Sequence, residues 1–187
     1  MGPSLDRAAR ALAAGALVVF PTDTLLGLGA RASDPVAVEG LLRAKARPGT
    51  QPLSAAVSSL EEMESFGRLS RSARQFVRRH LPGPFTLLVP PSAVARRRLA
   101  PAVAGGRTIG LRLPDHPVAR ELARRVGPIV ATSANRHGDP PARTLAEARR
   151  AFGRSVRVYL AAQPVPSGRP SEIVDLTGRR PRWVARR

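Results

Sequence analysis

The sequence predicts an α/β fold in which helices flank one twisted sheet of mixed parallel and antiparallel strands. Three observations carry that prediction. Short apolar runs bounded by Gly, Pro or polar residues recur along the chain and read as buried strands. Longer segments between them show helical spacing and open on Ser, Thr or Asp caps. The two kinds alternate irregularly and without a repeat, which argues for a mixed sheet over a regular βαβ array. At 187 residues, the chain is expected to form a single domain over 1–187.

In chain order, Ser4 caps a helix with Leu5, Ala8, Ala9 and Leu12 on its apolar side, and Gly15 stops it. Residues 17–20 form a strand that Pro21 ends. Thr22, Asp23 and Thr24 follow at the strand end, where open α/β sheets keep ligands. Gly27 and Gly29 read as flexible backbone suited to close approach, and their spacing is neither a Walker loop nor a dinucleotide fingerprint. Asp34 and Pro35 open a helix carrying Val38, Leu41 and Leu42 down to Lys45. Residues 53–57 are a strand. Ser59 with Glu62 makes a capping box, and Ser70 caps a helix to His80.

Pro82-Gly83-Pro84 turns into a strand over 85–89, and residues 90–106 read as an Arg-rich loop. A strand over 108–113 closes at Pro114, and Asp115, His116 and Pro117 start a helix that Gly127 stops. The strand over 128–132 delivers Ser133-Ala134-Asn135. Thr144 with Glu147 caps the next helix, and 156–160 is a strand. A Pro/Gly-rich loop over 161–171 precedes two short strands at 173–176 and 183–185. Asp23 and Asp175 read as solvated strand ends, and His137 as an exposed loop residue.

Composition excludes several chemistries. With no Cys there is no disulfide framework or thiolate nucleophile, and three isolated His residues make a zinc site improbable. No apolar run reaches membrane-span length and the N-terminus lacks a signal-peptide layout, so a cytoplasmic protein with no membrane partner is expected. The net charge of +18 implies anionic company, but aromatics at 4% poorly supply a base-stacking platform.

Within this Arg-rich chain, Lys45 is the only Lys among 31 basic residues. A bias this strong would replace any Lys needed only as a solvated charge, and an ammonium differs from a guanidinium in being compact with rotatable donors. Pro48 pushes Arg47 out of helical geometry, so Lys45 and Arg47 can reach one anion from the helix end. Bland readings stand beside the sharp ones. Thr22 and Thr24 could serve turn hydrogen bonds, Ser133 and Asn135 an Asx/ST turn, and Arg112 an ordinary ion pair.

Five stretches now stand in order: Pro21–Thr24 (PTDT), Lys45/Arg47, Pro82–Thr86 (PGPFT), Arg112–Pro114, and Ser133/Asn135. Together they resemble the YrdC-like family of threonylcarbamoyl-AMP synthases, in its short, single-domain form. The resemblance implies a nucleotidyltransferase. L-threonine and bicarbonate give N-carboxy-threonine, whose carboxylate attacks the α-phosphorus of ATP to give threonylcarbamoyl-AMP and pyrophosphate, the first step of a tRNA modification. It implies that Lys45 and Arg47 are catalytic and, with Gln51, Thr108, Ser133, Asn135 and Arg186, bind ATP. Thr22, Arg112 and Ser171 would bind threonine. Magnesium would come with ATP without a dedicated protein site, and the product would pass to a downstream threonylcarbamoyl transferase complex. A direct tRNA contact stays open. The loop after Asn135 departs from the family in reading Arg136-His137-Gly138, and Glu172 stands where many relatives carry Thr.

Two other readings remain at this point. One is a basic RNA-binding module without catalysis; the other is a nucleotide-binding relative with another acyl substrate. A single Lys among Arg residues favours an adenylate-forming site over diffuse phosphate gripping.

Overall fold

The computed structural model describes residues 4–46 and 53–185. The chain enters through α1 (Leu5–Ala13), then β1 (Val18–Pro21) and β2 (Leu26–Arg31), and continues into α2 (Pro35–Lys45) and β3 (Ser54–Ala56). Helices α3 (Leu60–Phe66) and α4 (Arg71–His80) lead to β4 (Phe85–Val89), followed by α5 (Ala93–Arg98) and α6 (Pro101–Ala104). Next come β5 (Ile109–Arg112), α7 (Pro117–Val126), β6 (Ile129–Ser133) and α8 (Leu145–Phe152). Strands β7 (Val158–Tyr159), β8 (Glu172–Asp175) and β9 (Arg182–Val184) complete the described chain. The caps work as the sequence predicts. Ser4, Asp34, Ser59, Ser70 and Thr144 each accept a hydrogen bond from a backbone N–H in the first turn they precede.

These strands form one sheet in the order β7-β1-β2-β6-β3-β5-β4-β8-β9. Pairs β1/β7, β3/β5 and β4/β8 are parallel, and the other five are antiparallel, so the sheet is mixed. Side chains alternate between its two faces. On one face Val19, Leu28, Val130, Leu111, Leu87 and Val174 pack under α2 to α6 and α8. On the other, Val18, Phe20, Ile129 and Val158 pack with Leu12 of α1 and Leu122 of α7. That second cover is centred on β1, β7 and the start of β6. Beyond it the same face of β3, β5, β4 and β8 opens into a cavity.

Two segments differ from the sequence reading. Residues 26–31 are a strand in the sheet interior, paired with both β1 and β6. Gly29 is required there because a Cβ would meet the Phe20 ring at 2.5 Å. Residues 93–104 hold two short helices in place of a loop. Ser92 accepts from Ala95 N–H at the start of α5, and Pro101 opens α6, so ordinary cap chemistry operates inside an Arg-rich stretch.

Candidate active site

The open half of the sheet is floored by residues with little or no side chain. Gly27 stands opposite Ser133, Gly29 opposite Ala131, and Ser54 opposite Gly110. Gly27, Gly110, Ala131 and Ser54 leave the backbone bare, and the resulting cavity has a volume of about 590 Å³. Its walls bring together Thr22, Thr24, Thr86, Arg112, Ser133 and Ser171 from five separated stretches. A cavity of this size with a few convergent polar groups suits a small ligand.

The Thr22–Leu25 turn forms one wall. Thr22 is 4% exposed, and its hydroxyl donates to the Leu25 carbonyl at 2.8 Å. It also accepts from the Thr24 and Leu25 amides, each at 3.2 Å. With its proton committed, the 3.0 Å contact to Thr24 Oγ1 makes the Thr24 hydroxyl the donor. Thr24 Oγ1 in turn accepts from Arg112 Nη2 at 2.7 Å. The turn reading of Thr22 and Thr24 is therefore realised in the same residues that line the cavity.

Arg112 ends β5 and reaches the turn from the far side of β6 and β3. Its Nη2 donates to Asp23 Oδ1 at 2.6 Å, with the two side chains only 12% and 11% exposed. Asp23 is thus an enclosed ion-pair partner and corrects the solvated reading of that residue. Asp175 is corrected likewise: it accepts from Thr177 and Arg182, and the Thr177 hydroxyl, ahead of the Arg182 contact, holds its carboxyl below the usual range. An arginine fixed by a buried carboxylate is oriented before any ligand arrives, which lowers the entropic cost of binding. Opposite, Ser171 leads into β8, and its hydroxyl lies 2.9 Å from that of Thr86, with both residues buried.

Lys45 takes a role that the helix-end reading did not anticipate. It is 3% exposed, at the last position of α2, and Ala46 ends the helix in the left-handed region at φ 52°. Its Nζ donates to the Ser133 and Asn135 carbonyls at 2.7 Å each, with Asn135 Oδ1 at 3.4 Å. The Lys45 carbonyl accepts from His137 N–H at 2.7 Å. The single ammonium therefore pins the Ser-Ala-Asn turn to the helix end. Asn135 Nδ2 closes the turn by donating to the carbonyls of Arg136 and Asp139.

Four of the residues expected to bind ligand, Thr22, Arg112, Ser133 and Ser171, line one cavity. Lys45 and Asn135 adjoin it through the turn that carries Ser133. Thr108 is half-buried and lies outside the lining, roughly 13 Å along an extended chain from Arg112. Arg47, Gln51 and Arg186 lie outside the described residues. Sequence reasoning gave Asp23, Thr24, Thr86 and Ser54 no ligand role. The first three sit inside the PTDT and PGPFT stretches, so their position was marked; Ser54 carried no signal beyond its place in a strand.

Among the described residues no group of three or more His, Cys, Asp or Glu is placed to hold a metal ion. No helix among them is long and apolar enough to cross a membrane.

The fold and cavity define an α/β domain whose uncovered half-sheet forms a polar-walled cavity of small-ligand size, beside a turn held by a buried lysine. The chain belongs to the Sua5/YciO/YrdC family, whose model, described as telomere recombination, matches residues 10–187. The threonylcarbamoyl-AMP synthase of Cellvibrio japonicus is 35% identical over 178 residues, covering 94% of this chain and 93% of its own. A Mycobacterium tuberculosis protein that carries the same name provisionally is 42% identical over 173 residues, covering 92% of this chain and 78% of its own. The crystal structure of P. abyssi Sua5 complexed with L-threonine superposes with a TM-score of 0.87 at 32% identity. That match covers 96% of this chain, which spans about half, 52%, of the P. abyssi protein.

Proposed function

We propose that this protein is a threonylcarbamoyl-AMP synthase acting as a nucleotidyltransferase. Its substrates are L-threonine, bicarbonate and ATP. The carboxylate of N-carboxy-threonine attacks the α-phosphorus. One P–O bond forms to the carbamate oxygen, the bond to the bridging oxygen breaks, and pyrophosphate leaves with that electron pair. Such a transfer needs positioning and charge neutralisation more than a side-chain nucleophile. That suits a chain with no Cys.

The observation that carries this reading is the convergence of Arg112, Thr24, Thr86 and Ser171 around one bare-floored cavity next to the lysine-pinned turn. Arg112, oriented by Asp23, would meet the threonine carboxylate. Ser171 and Thr86 would enclose the amino acid from the opposite wall. The turn at Ser133 and Asn135 would receive the nucleotide, and Arg47, Gln51, Thr108 and Arg186 would contribute further contacts to it. Lys45 would act by fixing this turn. Magnesium would arrive on the triphosphate; the described residues do not themselves form a carboxylate cage for it. The product would pass, in the cytoplasm, to a transferase complex that modifies tRNA.

The test is pyrophosphate release from purified protein with ATP-Mg, bicarbonate and threonine, omitting each in turn. Release that requires both threonine and bicarbonate is the expected result. Release without threonine, or tight tRNA binding with no turnover, would overturn it.

A further inference from the structure

His116 is fully buried, yet nothing in the proposed reaction uses it. It is the cap of α7: its Nδ1 accepts from Val118 N–H at 3.2 Å. An accepting Nδ1 carries no proton, so the ring proton sits on Nε2, which donates to the Pro164 carbonyl at 2.9 Å. A Ser, Asp or Asn cap would satisfy Val118 equally well. Imidazole alone among these offers a second nitrogen on the far side of the ring, and here it reaches into the loop over 161–171.

That loop lies across the cavity wall. Ser167 N–H donates to the Asp23 carbonyl at 3.2 Å, and Gly168 N–H to the Thr24 carbonyl at 2.8 Å. Ser167 Oγ adds a weaker contact to the same Thr24 carbonyl at 3.4 Å. Gly168 has φ +79°, a conformation open to glycine. From 161 to 170 every residue is exposed except half-buried Ala162 and Pro166. With so little apolar surface buried, the strap's position rests on a few hydrogen bonds, and segments of this kind open at low free-energy cost. It grips the backbone of Asp23 and Thr24, the two residues whose side chains hold Arg112.

We infer that His116 is a positioning residue for the amino-acid end of the cavity: it anchors the 161–171 strap, and the strap holds the Thr22–Leu25 turn against Arg112. The inference rests on the proposed threonine site, with ATP bound elsewhere in the cavity.

The experiment compares His116→Asn with His116→Gln in the full chain. Asn keeps an acceptor for Val118 but is too short to reach Pro164, whereas Gln extends an amide N–H in that direction. The readouts are hydrogen exchange at the Ser167 and Gly168 amides and the KM values for threonine and ATP. In His116→Asn those amides should exchange about tenfold faster. Threonine KM should rise about five- to tenfold, as one lost hydrogen bond implies, with ATP KM and kcat unchanged. His116→Gln should recover most of both effects. Gly168→Ala strains the strap without touching the buried ring, and keeps the test alive should His116→Asn misfold. It should raise threonine KM in the same way. Unchanged exchange and threonine KM, or an equal rise in both KM values, would overturn the inference. Absence of threonine-dependent turnover in the unaltered protein would instead sink the proposed function, and the exchange comparison would then decide the strap alone.

Discussion

An ammonium held at 3% exposure loses most of its hydration and needs acceptors in place of water. Lys45 finds them in two carbonyls of the Ser-Ala-Asn turn, each 2.7 Å from Nζ. Hydrogen bonds to a charged group contribute more than neutral ones, about 1.5–3 kcal/mol each. Lys45→Met should therefore lower unfolding free energy by about 2–4 kcal/mol, read from a denaturant melt, while also abolishing pyrophosphate release. Lys45→Arg should rescue neither, because a planar fork cannot place one nitrogen between both carbonyls. A Lys45→Met protein as stable as the parent yet inactive would mean that the ammonium serves the phosphates directly. The solitary Lys marked this position in the sequence, but its partners lie some 90 residues away, at Ser133 and Asn135. What the sequence carried was the need for an ammonium, and what it lacked was the identity of the acceptors.

At the scale of a strand, β2 shows how the same residue type does two jobs. Gly27 and Gly29 face the same side of the sheet, two residues apart. Over Gly29 lies the Phe20 ring, which an added Cβ would meet at 2.5 Å, with Ile129 at 3.0 Å. Over Gly27 lies the cavity, where an added Cβ would make only ordinary contacts, with the Thr22 methyl at 3.4 Å and with the Phe20 carbonyl and ring at 3.6 and 3.7 Å. Gly29→Ala should thus overpack the core and cost about 1–3 kcal/mol. Gly27→Ala should fold normally and weaken ligand binding by raising the cavity floor. Melting curves with substrate KM values for the pair check this, and equal destabilisation by both would contradict it. The strand escaped sequence reading for the same reason. Residues 26–30 alternate apolar and Gly with a strict period of two, yet Gly disfavours strands and reads as a turn. The helix after Ser92 was lost similarly, its Arg-rich composition masking a good cap. Elements with apolar faces and Ser, Thr or Asp caps were legible because their information is local. Strand order was not, since β6 inserts between β2 and β3 by pairings that no local pattern encodes.

Over the whole molecule, 31 cationic side chains face 13 acidic ones. Among the described residues the acids that form ion pairs are already well supplied with arginine. Glu121 takes both Arg124 and Arg125, and hydrogen bonds from Arg124 and then Arg125 hold its carboxyl down to about 2. Asp23 is taken by Arg112, and Asp175 by Arg182. Cationic side chains therefore outnumber the acids available to balance them. A net charge of +18 on one compact chain opposes compaction through self-repulsion. Salt shortens the reach of that repulsion, the screening length falling from about 30 Å at 0.01 M to about 10 Å at 0.1 M. It also screens the exposed pairs, but these contribute little individually. Repulsion between many cations should dominate, so Tm should rise as sodium chloride goes from low millimolar to a few tenths molar. Differential scanning calorimetry across that series checks the sign. A Tm that falls with salt would show that attraction within the ion pairs outweighs repulsion among the excess positive charges in holding the fold.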